Sequence, residues 1–112
     1  MEKDQLEKMT REYQMLQEQL QSLAMQKEQF KAQKEELKEA LAEVEKAKHR
    51  IYLTVGGIMV EVDKETATKS IKERQESNTM RISIVEKQFE DLSKKEQSIR
   101  AELTTALKEF KQ

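Results

Sequence analysis

The sequence predicts a mainly α protein in which two long helices pack antiparallel as a coiled coil and are joined by a β-hairpin. Three observations predict it. Apolar residues recur at alternating three- and four-residue steps through both halves of the 112-residue chain, the 3.5-residue spacing of a coiled-coil seam. Proline is absent, so neither half meets the commonest helix breaker. Between the halves, Gly56-Gly57 separates two short runs that alternate with a period of two, the pattern of strands around a tight turn.

The first helix is expected from about Lys3 to Arg50, roughly 70 Å at ~1.5 Å per residue. One row of its seam is Leu6, Tyr13, Leu20, Lys27, Lys34, Leu41 and Lys48; the other is Met9, Leu16, Leu23, Phe30, Leu37, Val44 and Ile51. The second row is wholly apolar. A lysine in the first can pack its stem and lift its ammonium to water. The seam of the second half mirrors this one about the diglycine: partners from Leu6–Ala106 to Leu41–Ile71 have residue numbers that sum to 112. Both termini are therefore expected side by side, at the end away from the hairpin.

The hairpin is expected over residues 51–62. If Val55 faces Ile58, then Leu53 faces Val60 and Ile51 faces Val62, so that one face carries six aliphatic side chains. The other carries Tyr52, Thr54, Met59 and Glu61. A two-residue turn at Gly56-Gly57 requires positive φ, which glycine adopts without a Cβ clash. A lone ribbon with a bare apolar face and two open edges is marginal in water and needs a partner. Another copy or a related subunit is the expected one.

The second helix is expected over 63–111, with Asp63 or Thr66 capping its first backbone N–H groups. Asn78 falls opposite Lys34, a polar pair that can fix register. Glu96 falls opposite Leu16 and loosens the seam near the ends. The three parts are expected to form one domain over 1–112.

Composition narrows the function. Hydrophobic residues make up 36% and mean hydropathy is -0.92, enough for apolar seams on solvated helices but too little for a thick core. Lys and Arg number 21 against 22 Asp and Glu, evenly spread, so no basic face is available for nucleic acid. Glu7–Arg11, Glu90–Lys94 and Asp91–Lys95 have the spacing of helical ion pairs. The absence of cysteine fits a reducing compartment. No run has the length and apolarity of a membrane span, and no signal-peptide pattern opens the chain. The expected location is the cytoplasm, with no membrane or nucleic-acid partner.

Nothing in the pattern looks catalytic. His49 is the one histidine and has no cysteine to share a metal with. Gly56-Gly57 lacks the Lys-Ser/Thr that completes a phosphate loop. A thin coiled coil offers no enclosed pocket in which its many carboxylates would be tuned. No cofactor, metal or enzymatic activity is expected.

The segment Arg50-Ile-Tyr-Leu-Thr-Val-Gly-Gly-Ile-Met-Val-Glu-Val-Asp-Lys64 resembles the hairpin of archaeal prefoldin β subunits, and the flanking helices extend the resemblance over essentially the whole chain. An α-type subunit has two hairpins and a β-type one; this chain has one. The resemblance implies a co-chaperone hexamer of two α and four β subunits. Hairpins would join into β-barrels through Ile51, Tyr52, Leu53, Val55, Gly56, Gly57, Ile58, Val60 and Val62. It further implies that the far ends of the coiled coils hold unfolded polypeptide and deliver it to a group II chaperonin without ATP.

The residues at the two ends suit that role. Met9, Tyr13, Met15, Leu16, Leu103, Leu107 and Phe110 are the candidate contacts for unfolded polypeptide. Fraying helix ends show seam residues to solvent, and methionine repacks easily against varied partners. Ordinary seam packing is the competing account of the same residues. The competing function is a spacer or adaptor that oligomerises through its hairpin and binds no client.

Overall fold

The computed structural model describes residues 2–111. In chain order these form α1 (Lys3–Lys46), β1 (Ile51–Val55), β2 (Ile58–Val62) and α2 (Lys64–Lys111). Met1 and Gln112, which the single-domain expectation includes, lie outside the described residues. The chain divides into two compact units. One contains Glu28–Ser83; the other contains the chain on either side, up to Lys27 and from Ile84.

In the first unit, β1 and β2 pair antiparallel in the expected register, Ile51 with Val62, Leu53 with Val60 and Val55 with Ile58. Gly56 and Gly57 take φ of 56° and 84°, the two positive values that a type I′ turn requires and that match the right-handed strand twist. A Cβ at either glycine would meet no atom within 4 Å. The need for glycine there is one of backbone conformation, not of space.

Both helix ends at the hairpin are sealed. Asp63, rather than Thr66, caps α2: its Oδ1 accepts the Thr66 backbone N–H at 2.7 Å, and its carbonyl accepts the Ala67 N–H at 3.0 Å. These bonds from Thr66 to the ionised carboxylate hold the Asp63 pKa below its usual value. α1 stops at Lys46, four residues before the expected Arg50. Its last turn tightens, with the Ala47 N–H on the Val44 carbonyl at 3.2 Å. Lys64 Nζ donates to the Glu45 carbonyl at 2.6 Å, satisfying an acceptor that helix geometry leaves free. Lys48 is therefore in the exposed connector and Ile51 in a strand, so neither belongs to the helical seam. The heptad spacing runs past the helix end because a β-branched residue that opens a strand also fits the next apolar step.

Ala67, Ile71 and Asn78 are buried on α2 in this unit. Asn78, only 4% exposed, donates from Nδ2 to the Phe30 backbone carbonyl at 2.9 Å. Lys34, its expected opposite, points to solvent. The polar layer exists, but it is closed by main chain, because the carbonyl one turn before Lys34 projects toward the same level. Asn78 Oδ1 is buried without a protein partner. Beside it runs a groove of 430 Å³, lined by Leu37 and Ala40 of α1 and by Arg74, Ser77 and Arg81 of α2.

In the second unit the start of α1 lies against the end of α2. Leu16, Val85, Leu103 and Ala106 are buried, while Met9, Leu20, Leu23, Phe89, Leu92 and Ile99 are half-buried. Leu23 and Leu92 line one groove, and Tyr13 approaches Glu96 and Arg100. Partners thus descend on α2 as numbers climb on α1, the antiparallel order the mirror pattern predicts. Phe110 departs from the expected seam and is exposed. Of the expected helical ion pairs, Glu90–Lys94 forms at 3.3 Å.

Candidate functional site

Most of the exposed large apolar side chains fall in two groups, on the hairpin and at the paired chain ends; Met25, Met80 and Ile84 lie elsewhere on the helices. On the hairpin, Val55, Ile58 and Val60 of the aliphatic face are exposed, with Ile58 at 67%. Ile51, Leu53 and Val62, nearer the helices, are half-buried. The gradient follows from position: the strand ends next to the helices are shielded by them, while the turn end has only itself. Tyr52 and Met59, on the opposite face, are exposed as well. Each edge of the two-stranded sheet also presents unpaired backbone groups, a template for another strand. All nine residues expected to serve assembly thus lie on one ribbon. Met59, which alternation places on the polar face, adds to the exposed apolar surface of the ribbon.

At the paired chain ends the seven candidate contacts separate. Met15, Leu107 and Phe110 are exposed, Phe110 at 57%. Met9 and Tyr13 are half-buried. Leu16 and Leu103 are buried in the seam, so in this conformation they are packing residues and not surface contacts. The physical reason is register: both point at the partner helix, whereas Met15 and Leu107 are off it.

A polar cluster sits inside the same seam. Glu96 has a side chain only 12% exposed and lies 3.8 Å from Arg100 Nη1. Tyr13 accepts a bond from Gln17 Nε2 at 3.0 Å. The phenol's pKa is raised, first by its hydrogen bond to Glu96, then by burial and by the Glu96 charge, with Arg100 opposing. The sequence carried signals for this cluster: Glu96–Arg100 and Tyr13–Gln17 each have i, i+4 spacing, and a glutamate at a seam position needs a partner.

Among the described residues, no group of His, Cys, Asp or Glu side chains could hold a metal ion. No helix among them is long and apolar enough to cross a membrane. His49 is exposed, with Nδ1 2.9 Å from the Arg50 carbonyl.

Two long helices joined by one β-hairpin, with exposed apolar side chains at its turn end, define a two-helix coiled-coil protein. The sequence matches the prefoldin subunit family over residues 7–110. The prefoldin subunit beta of Thermococcus onnurineus (strain NA1) is 34% identical over 70 residues, 61% of this chain; the chain spans 60% of that relative's length. Among solved structures, the prefoldin beta subunit from Thermococcus strain KS-1 superposes with a TM-score of 0.81 at 30% identity, covering 92% of each chain. The beta2 subunit from the same strain shares the fold, with a TM-score of 0.59 at 24% identity over 86% of this chain and 97% of its own. The chain belongs to the prefoldin family of chaperone subunits, and its single hairpin is that of the β type.

Proposed function

We propose that this chain is one of four β-type subunits that join two α-type subunits in a hexameric co-chaperone of the cytoplasm. The assembly binds unfolded polypeptide, prevents its aggregation and passes it to a group II chaperonin without hydrolysing ATP. It is not an enzyme. The observation that carries this reading is where the exposed large apolar side chains gather. Among the described residues, eight of the eleven exposed large apolar side chains do so: Tyr52, Val55, Ile58, Met59 and Val60 lie on the hairpin, and Met15, Leu107 and Phe110 at the paired ends, while Met25, Met80 and Ile84 lie elsewhere on the helices. Burying such a patch is worth about 25 cal/mol per Å² of apolar surface, so each group is expected to have a partner.

The two groups suit different partners. The hairpin has a regular backbone edge, which a second hairpin complements strand by strand. Closing such edges into a barrel removes them. Met15, Leu107 and Phe110 stand on helices whose backbone is already satisfied, so they offer side-chain contact without backbone register. That favours varied, unstructured chains over one defined strand. Met9 and Tyr13 border this set.

The test mixes the chain with an α-type prefoldin subunit, measures the mass, and follows light scattering as a chemically denatured protein is diluted into buffer. Ile58→Lys should prevent assembly. Combined Met15→Ser, Leu107→Ser and Phe110→Ser should leave the hexamer mass unchanged and abolish protection against aggregation. Full protection by the triple variant would refute the grip, and a lasting monomer or dimer of the unmodified chain would refute the hexamer. A spacer would assemble yet suppress no aggregation.

A further inference from the structure

Four of the exposed large apolar side chains are thioethers: Met15, Met25, Met59 and Met80. Met9 is half-buried, and Met1 lies outside the described residues. A thioether open to solvent reacts with hydrogen peroxide. A sulfur lone pair attacks one peroxide oxygen, the O–O bond breaks and an S=O bond forms. The proton of the transferred hydroxyl moves to the departing one, which leaves as water, so the sulfur is oxidised and the peroxide reduced. The chain has no cysteine, so no thiolate of its own intercepts the oxidant.

The same reaction has different consequences at the four positions. Met25 and Met80 are exposed away from both apolar groups, so a sulfoxide there stays hydrated and changes little. Met59 lies on the ribbon that assembly is expected to cover. We infer that Met15 is an oxidation site, and that its conversion to the sulfoxide by hydrogen peroxide weakens the hold on unfolded polypeptide, reversibly and without loosening the helix pair. The inference rests on the reading that Met15, Leu107 and Phe110 hold such polypeptide. A sulfoxide puts a strong dipole where a soft apolar surface stood, and burying it against an apolar client segment costs its hydration. The helix pair is spared because Met15, 60% exposed, points off the seam, while its neighbour Leu16 is buried in the packing. Two thiols of a sulfoxide reductase return the thioether, with a disulfide and water as the other products, so the change can be undone.

The test treats the complex assembled with an α-type subunit with hydrogen peroxide, removes the peroxide, and then adds the diluted denatured protein. A Met15→Leu complex, which keeps the apolar bulk but has no sulfur there, receives the same treatment, so that oxidation elsewhere in the assembly is common to both. Peptide mass spectrometry should find one added oxygen on Met15. The unsubstituted complex should then need about threefold more protein for the same suppression of light scattering, as expected from spoiling one apolar contact among several. Its mass and helical circular dichroism should be unchanged, and treatment with reductases for both sulfoxide epimers should restore protection. Met15→Leu should lose less than half as much. Three results overturn the inference: Met15 left unoxidised, full protection by the oxidised complex, or an equal loss in Met15→Leu. Any of these, while serine at Met15, Leu107 and Phe110 still abolishes protection, removes this inference and leaves the proposed function standing. Full protection by the serine variant removes both.

Discussion

Replacing Asn78 with leucine should stabilise the helix pair by about 2 kcal/mol. The estimate is built from three contributions. Losing the Nδ2 bond to the Phe30 carbonyl costs about 1 kcal/mol, the net worth of a typical hydrogen bond. That carbonyl is not orphaned, because it lies within α1 and can still accept the helical N–H from Lys34. Removing Oδ1, buried without a protein partner, recovers about 1 kcal/mol, the low end of the cost of an unsatisfied buried acceptor. Burying a leucine side chain adds about 2 kcal/mol, and the adjacent 430 Å³ groove gives it room without the strain of overpacking. With an unfolding entropy of about 2.1 cal/mol/K per residue, 112 residues translate this into a Tm rise of about 8 °C. Circular dichroism at 222 nm, at one fixed protein concentration because assembly also stabilises, measures it. A Tm that is unchanged or lower would refute the reasoning, since it would mean that Asn78 contributes more than one hydrogen bond. Lys34→Leu, by contrast, should give no gain, because that position faces water.

Two further outcomes are expected. Gly57→Val should lower Tm by several degrees and weaken assembly, seen as a shift to lower mass in analytical ultracentrifugation. The cause is φ of 84°, which strains a β-branched residue by about 1–2 kcal/mol although nothing crowds the site; Gly57→Asn should be milder. The stability-versus-pH curve should bend at both ends. Asp63 is depressed from 3.8, so its contribution is full above that value and is lost as the pH falls through the folded pKa. Tyr13 is raised from 10.0, so its contribution is full below that value and is lost as the pH rises through the folded pKa. In melting temperatures scanned against pH, Asp63→Ala should flatten the acid limb and Tyr13→Phe the alkaline limb. A limb that keeps its slope would refute the assigned partner.

The places where reading and structure part company share a cause. The end of α1 was misplaced because Lys48 and Ile51 satisfy a heptad as well as they satisfy a connector and a strand. The tightened turn at Val44–Ala47 and the Lys64–Glu45 bond involve backbone groups that leave no mark on periodicity. Asn78 was expected against a side chain and is instead closed by a carbonyl. The seven end residues looked alike in sequence, yet burial separates Leu16 and Leu103 from Met15, Leu107 and Phe110. Thr66 and Asp63 were equal as caps on paper, and only the 2.7 Å bond to Asp63 Oδ1 distinguishes them.

The amino-acid order by itself determined the two helices, the turn, the strand register and the antiparallel sense of pairing. Each depends on interactions over a few residues, or on one repeat continued past a single bend: heptad spacing, absence of proline, two adjacent glycines and alternation of β-branched side chains. The tertiary structure alone decided which seam residues are covered, where Asn78 finds its partner, and which apolar side chains remain uncovered. Those outcomes depend on the distance between helices and on which groups meet across them. A bond such as Asn78 to Phe30, 48 residues apart, has no local signature.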